Sequence, residues 1–283
     1  MNKRIEETSS NLDCLQSLRD KLSSNYNKLC LFLDIDGTLA DFQLDPNDCY
    51  IPAKTLNILE KIISNKIPVI AVTGRDIDSA RKLFESLDLP IAALHGLEIY
   101  LGEQKELHTS KNFLEISYID TMLTKACIPY PDLLIENKKS SIALHYRKAP
   151  ELQYIAKKII LESQQVFPEL KLIQGKFVYE LIPAQANKGM AIEEILAHFN
   201  QHDLYSPVFI GDDVTDEDGF YFVNQLIDGI SIKVGQGLTH ARYQLEDTKQ
   251  VHDFLELFLE HIQNHDNNIK GNNNLGGEKI CLN

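Results

Sequence analysis

No apolar run in the 283 residues approaches the ~20 that a membrane-spanning helix needs. The opening stretch from Met1 to Asn11 stays polar where a secretory leader would turn apolar, so the expected location is the cytoplasm. Cysteine is sparse: Cys14, Cys30, Cys49, Cys127 and Cys281 are odd in number, widely scattered and form no CxxC pair. That spacing excludes a disulfide framework and a zinc site. Positive charge is also short, with 28 Lys and Arg against 41 Asp and Glu and a formal net charge of -13. A broad nucleic-acid surface needs clustered cations and is therefore excluded, and an anionic ligand must meet a local positive site. No internal repeat is present, and nothing in the chain sets an oligomeric state; a monomer is compatible with it.

What is there is an ordinary soluble composition, 43% hydrophobic and 24% charged, in a chain long enough for two lobes with separate cores. Residues 1-27 hold a short amphipathic helical segment, with Leu12, Leu15, Leu18 and Leu22 at near-helical spacing. Strands and helices then alternate: strand 28-33, helix 52-64, strand 67-72, helix 77-87, strand 91-94. Such alternation predicts parallel strands joined by crossover helices. From about Ser110 to Pro183 the order changes to helix, two strands, helix, two strands, the pattern of a small α+β insertion. Alternation resumes after Asn187 and ends in a helix over 251-263. The chain thus divides into a core over 28-109 and 184-263, a cap over 110-183, and an Asn- and Gly-rich tail over 264-283 expected to be disordered.

The chemistry gathers where apolar strands end. Leu31-Phe32-Leu33 runs into Asp34-Ile35-Asp36-Gly37-Thr38, and Phe209-Ile210 runs into Gly211-Asp212-Asp213-Val214-Thr215-Asp216-Glu217. Ligands bind at strand ends in sheets of this kind. Two carboxylates beside a glycine turn allow one to attack and the other to handle protons. A carboxylate attacking phosphorus needs its target neutralised, and Asp212 and Asp213 offer hard oxygen ligands for a divalent cation. Thr73-Gly74-Arg75 supplies a hydroxyl and turn amides for phosphate oxygens, and Lys188, before a helix, supplies a compact cation. Either acidic cluster alone fits a solvated turn or helix start; two at equivalent strand ends fit a site.

These four segments together resemble the motifs of the haloacid dehalogenase superfamily. The runs His95-Gly96-Leu97-Glu98, Glu136 to Arg147, Glu180 to Pro183 and Gly211 to Glu217 further resemble trehalose-6-phosphate phosphatases. The resemblance implies an α/β fold, a Rossmann-like parallel-sheet core with an inserted α+β cap. It implies Asp34 as nucleophile and Asp36 as acid and base. Magnesium would be bound by Asp34, the Asp36 carbonyl and Asp212, with Asp213 and Asp216 nearby. Thr73, Gly74, Arg75 and Lys188 would hold phosphate. Glu136, Lys138 and Glu180 of the cap would contact sugar hydroxyls, and His95 and Gly96 would also lie at the substrate.

The implied reaction is double displacement through an aspartyl phosphate, with a small sugar phosphate as partner and no nucleic acid or membrane. A related sugar phosphatase acting on sucrose phosphate or mannosyl-phosphoglycerate, a phosphosugar mutase and a silent sugar-phosphate sensor are the competing readings. An intact nucleophile and acid weigh against the sensor, and no feature dedicated to excluding water and rebinding a bisphosphate is visible for the mutase. Only the short helical segment precedes the first strand, so no fused synthase domain is expected.

Overall fold

The computed structural model describes residues 11–24, 28–43, 48–102, 106–109, 116–138, 141–175, 177–201 and 204–274. Its first half runs α1 (Asn11–Ser23), β1 (Lys28–Leu33), α2 (Ala53–Ser64), β2 (Val69–Val72), α3 (Ile77–Leu83), β3 (Ile91–Ala93), β4 (Glu98–Tyr100) and β5 (Glu106–Thr109). The cap follows as α4 (Ile116–Cys127), β6 (Leu134–Asn137), β7 (Ile142–His145), α5 (Gln153–Val166), β8 (Leu170–Gly175) and β9 (Val178–Pro183). The chain returns to the core with α6 (Lys188–Phe199), β10 (Tyr205–Gly211), α7 (Glu217–Gln225), β11 (Ile230–Val234), β12 (Tyr243–Leu245) and α8 (Thr248–Asn274).

The core sheet has the order β12-β11-β10-β1-β2-β3-β4-β5. It is parallel from β12 to β3 and antiparallel from β3 to β5. Strand β1 is buried almost throughout because both of its faces are covered. Leu29, Leu31 and Leu33 pack on one side among residues of α1, α2 and α8, while Cys30 and Phe32 pack on the other among residues of α6 and α7. Leu18 and Leu22 of α1, one helical turn apart, are fully buried in the first of these clusters. Burial of a large side chain such as Phe254 or Phe258 of α8 contributes roughly 1.5–3 kcal/mol.

The topology fixes the site. From β1 the chain moves to β2 on one side, and much later returns to β10 on the other. Strand order reverses at β1, and in such sheets the loops leaving the reversal point part and form a crevice. Leu33 registers with Ile210 and Ala71, so Asp34, Asp212 and Thr73 leave three neighbouring strands on the same edge.

The cap sheet, β6-β7-β9-β8, is antiparallel. Its alternation sends Ile142, Leu144, Tyr179 and Leu181 into a core with Ile119, Leu123, Ala156 and Ile160 of α4 and α5. The opposite face carries Glu136, Ala143 and Glu180 in one register row.

The structure departs from expectation in three places. Strands β4, β5 and β12 have no counterpart in the predicted elements, because runs of three or four residues at a sheet edge carry too little apolar alternation to be seen. Helix α3 stops at Leu83 rather than 87. Helix α8 continues through Asn274, correcting the expectation of disorder from Asn264: extending an existing helix requires no new nucleus. The expected disorder over 275–283 and the start of the cap at 110–115 lie outside the described residues.

Candidate active site

Asp34 and Lys188 meet at the floor of the crevice. Lys188 Nζ donates to Asp34 Oδ1 at 2.8 Å and to Asp216 Oδ1 at 2.7 Å, and all three side chains are almost fully buried. Burial works against the ammonium, but Asp216 and Asp34 outweigh it and hold Lys188 charged, above its ordinary range. Asn187 caps α6 by accepting from Met190 N at 2.9 Å, which places Lys188 on the first turn, where the helix end adds positive potential. Burial pushes the Asp34 carboxyl up; Lys188 opposes this, and Asp216 and Asp36 add to it.

Carboxylate oxygens of Asp34, Asp212 and Asp216 lie within 4.8 Å of one another. Burial first, then the charges of Asp34, Asp216 and Asp213, push the Asp212 carboxyl up. Asp212 Oδ1 is buried without a hydrogen-bond partner among the described residues. Crowded hard oxygens with one orphan atom fit a divalent cation such as magnesium, and its charge would reverse these upward shifts. The cluster depends on Gly37, whose φ of +87° suits glycine and whose missing side chain leaves room for the Asp212 carboxylate. Lys233, buried on β11, donates to the Asp212 backbone carbonyl.

The second carboxylate of the pair has a different partner. Arg75 binds Asp36 in a fork, Nε to Oδ2 and Nη2 to Oδ1, both at 2.6 Å. Cys49 lies against this pair, and burial with the Asp36 charge drives its thiol up to about 12, so it stays protonated. Thr73 is buried and its hydroxyl accepts from Arg75 N at 3.1 Å, which shapes the turn. Beside it, Gly74 leaves space that the His95 ring fills.

The cap lies over this floor. Glu180 accepts from Ser141 Oγ at 2.6 Å and from Lys138 Nζ at 3.1 Å. Burial alone would raise its carboxyl; Lys138 and the Ser141 bond prevail and bring it down to about 2. His95 Nε2 of the core lies 4.0 Å from Glu180 Oε2. Burial drives His95 down to about 3, so its ring is neutral near neutral pH, and neither ring nitrogen has a hydrogen-bond partner among the described residues. A cavity of about 390 Å³ opens beside the floor, lined by Asp36, Asp212, Asp213, Val178, Glu246 and Thr248.

A buried carboxylate held by a buried lysine at the strand reversal, next to a divalent-cation cradle and beneath an inserted cap, is a phosphoryl-transfer arrangement. The trehalose-phosphatase family model matches residues 32–249. The chain belongs to that family. It is 31% identical over 245 residues to the trehalose-6-phosphate phosphatase of Escherichia coli (strain K12), covering 83% of this chain and 88% of that one. It is 35% identical over 225 residues to a probable trehalose-phosphate phosphatase of Sinorhizobium fredii, covering 76% and 80%. The fold superposes on the C-terminal domain of C. albicans trehalose-6-phosphate phosphatase with a TM-score of 0.77, at 23% identity and with 87% and 96% covered. This family membership makes the chain a phosphatase, a phosphoric monoester hydrolase.

Within this phosphatase the residues named from sequence divide. The structure brings Asp34, Lys188, Asp212 and Asp216 together on the floor, and Glu136, Lys138, Glu180 and His95 on the cap side. Gly96 follows His95 with φ +95° and packs against Asn187 and Ala191 of α6, so it shapes the backbone beneath the ring. Asp213 Oδ1 accepts from Val214 N at 2.6 Å in a capping box with Asp216, whose own Oδ2 accepts from Asp212 N and Asp213 N, and Asp216 joins Asp34 and Asp212 in the carboxylate cluster. Arg75, named from sequence as a phosphate ligand, has its fork engaged with the Asp36 carboxylate in this structure. Sequence reasoning missed Lys233, yet a lone lysine in the apolar strand Ile230–Val234 is a signal that a buried charge needs a partner.

Proposed function

We propose that this phosphatase hydrolyses trehalose 6-phosphate in a magnesium-dependent double displacement. The observation that carries the reading is the buried Lys188 bridge between Asp34 and Asp216, beneath a cap face bearing Glu136, Lys138 and Glu180. Asp34 Oδ2 is the attacking atom, because Oδ1 is held by Lys188. Its remaining contact is a long 3.4 Å bond from Thr38 Oγ1, which is weak and easily given up. Attack forms an oxygen–phosphorus bond and breaks the bond to the sugar oxygen. Asp36 donates its proton to that oxygen, then takes a proton from the water that cleaves the aspartyl phosphate. Arg75 occupies both Asp36 oxygens, so Asp36 parts from Arg75 and takes up a proton from solvent before it donates one to the leaving sugar oxygen.

Asp34, Asp212 and Asp216, the residues that converge, would hold magnesium, which supplies Lewis-acid neutralisation of the phosphate when bound. Lys188 offsets repulsion between Asp34 and the incoming dianion, and the turn offers the Thr73 hydroxyl and the Gly74 amide to its oxygens, the Thr73 and Arg75 amides being bonded within the fold. On the cap side, Glu180 and Glu136 accept from sugar hydroxyls and Lys138 donates to them. The two buried nitrogens of His95, without partners among the described residues, give a neutral ring one donor and one acceptor beside Glu180. The reading is tested by phosphate release from a panel of sugar phosphates with magnesium, alongside mass spectrometry for a phosphate adduct on Asp34. Trehalose 6-phosphate should lead the panel; preference for sucrose phosphate or mannosyl-phosphoglycerate would replace it as substrate.

A further inference from the structure

A chain of contacts crosses from the sugar side of the cap to the core loop that follows Asp36. Glu136 Oε2 lies 2.8 Å from His145 Nε2, and His145 Nδ1 lies 2.8 Å from Arg147 Nη2. Arg147 Nη1 donates to the Gln43 carbonyl at 3.0 Å, and its guanidinium carbon stands 5.2 Å from the centroid of the Phe42 ring. The donors set a direction. A guanidinium has no acceptor, so Nη2 donates to His145 Nδ1, the ring proton sits on Nε2, and Nε2 donates to Glu136. Glu136 reflects this: burial would raise its carboxyl, but the His145 bond and the Lys138 charge hold it below the ordinary range.

The loop that Arg147 grips is an extension of the catalytic turn. Gly37 N donates to Ala40 O at 2.8 Å, and Asp36 and Ala40 form a β-bridge, so residues 41–43 leave the turn immediately beside Asp36. Phe42 lines the same cavity as Asp36 and Asp212.

We propose that Arg147 is a positioning residue that latches the cap onto loop 41–43, and that Glu136 and His145 orient it. Occupation of the sugar side and closure over Asp36 then become a single event. A sugar hydroxyl that donates to Glu136 reinforces the carboxylate that aims His145, and through it the guanidinium over Phe42. Remote sugar contacts would thereby serve phosphorus chemistry, which needs a dry, closed site. The effect on turnover rests on the phosphatase reading above; the latch itself does not.

The test compares wild type with Arg147→Ala, Phe42→Leu, Glu136→Gln and the Arg147→Ala/Phe42→Leu double variant. Phe42→Leu keeps apolar bulk and removes the ring face, so it reports on the latch without the fold. Amide hydrogen exchange of residues 41–43 in the substrate-free protein should speed up in all four, least in Glu136→Gln. With trehalose 6-phosphate, kcat/KM should fall about five- to thirtyfold for Arg147→Ala and about two- to fivefold for Phe42→Leu. The double variant should be no worse than Arg147→Ala alone, since both remove one interaction. Unchanged exchange at 41–43 in Arg147→Ala, or additive losses in the double variant, would overturn the latch and make Arg147 a direct sugar contact. If wild type releases no phosphate from trehalose 6-phosphate, the substrate reading fails, and the exchange data still decide the latch.

Discussion

The floor of the core and the facing side of the cap are built from similar parts, a buried carboxylate beside a lysine that is buried on the floor and partly exposed in the cap, yet their charge states diverge. On the floor, Lys188 is shared between Asp34 and Asp216, with Asp36 and Asp212 close by, and burial pushes Asp34 and Asp212 up. In the cap, Lys138 and a hydroxyl serve Glu180, and its carboxyl is brought down to about 2. The difference lies in the supply of cations. The floor holds more negative charge than its own lysine neutralises and calls for a cation before a dianionic phosphate can enter. The cap is closer to balanced, which suits neutral, hydroxyl-rich groups.

The largest effect that would sharpen this comparison comes from the floor. Asp34→Asn is nearly isosteric but a poor nucleophile, so phosphate release should fall roughly 10³-fold or more while circular dichroism is unchanged. A folded variant keeping more than about a tenth of the activity, some 1.4 kcal/mol of barrier, would reject Asp34 as the attacking group. The cation supply is tested next. Chelation by EDTA should stop catalysis and magnesium should restore it, while Asp212→Asn should require much more magnesium for half-maximal rate. Full activity in metal-free buffer would break the contrast, because the floor would then be neutralised by the protein alone.

How much of this is legible in sequence depends on whether the information is local. Asp34 and Asp212 stand out because each ends an apolar strand, a feature of adjacent residues. The capping box is also local: Asp213-Val214-Thr215-Asp216 has its spacing, and it commits one oxygen of each aspartate to the backbone. The Arg75–Asp36 fork and the row Glu136–Ala143–Glu180 depend on strand register between distant segments, which no window of sequence contains. The edge strands β4, β5 and β12 escape a sequence reading because their pairing is set by the neighbouring strand more than by their own residues.

A smaller effect separates the two regions by substrate. Glu180→Ala removes the acceptor proposed for sugar hydroxyls and the partner that Lys138 Nζ meets at 3.1 Å. Its kcat/KM for trehalose 6-phosphate should fall about ten- to a hundredfold, with a much smaller change for a small aryl phosphate. Equal losses on both substrates would place Glu180 in the phosphorus chemistry and dissolve the division between cap and floor.

The smallest effect concerns stability and follows from the sign of the Glu180 shift. Its carboxyl lies at about 2 in the folded protein against an ordinary 4.5, so the folded state releases this proton more readily than the unfolded chain. A depressed carboxyl stabilises the fold fully above the unfolded value and loses that contribution as pH falls toward the folded one. Glu180→Gln cannot ionise and lacks the contribution at every pH. The gap in melting temperature between wild type and Glu180→Gln should therefore be constant above about pH 5 and shrink steadily between about pH 4.5 and pH 3. His95 does not enter this window from above, because at about 3 it remains neutral until the lower end. A gap that persists undiminished to pH 3 would mean that the introduced carboxamide disturbs packing around Ser141 and Lys138, and that the cap's charge balance contributes little to its stability.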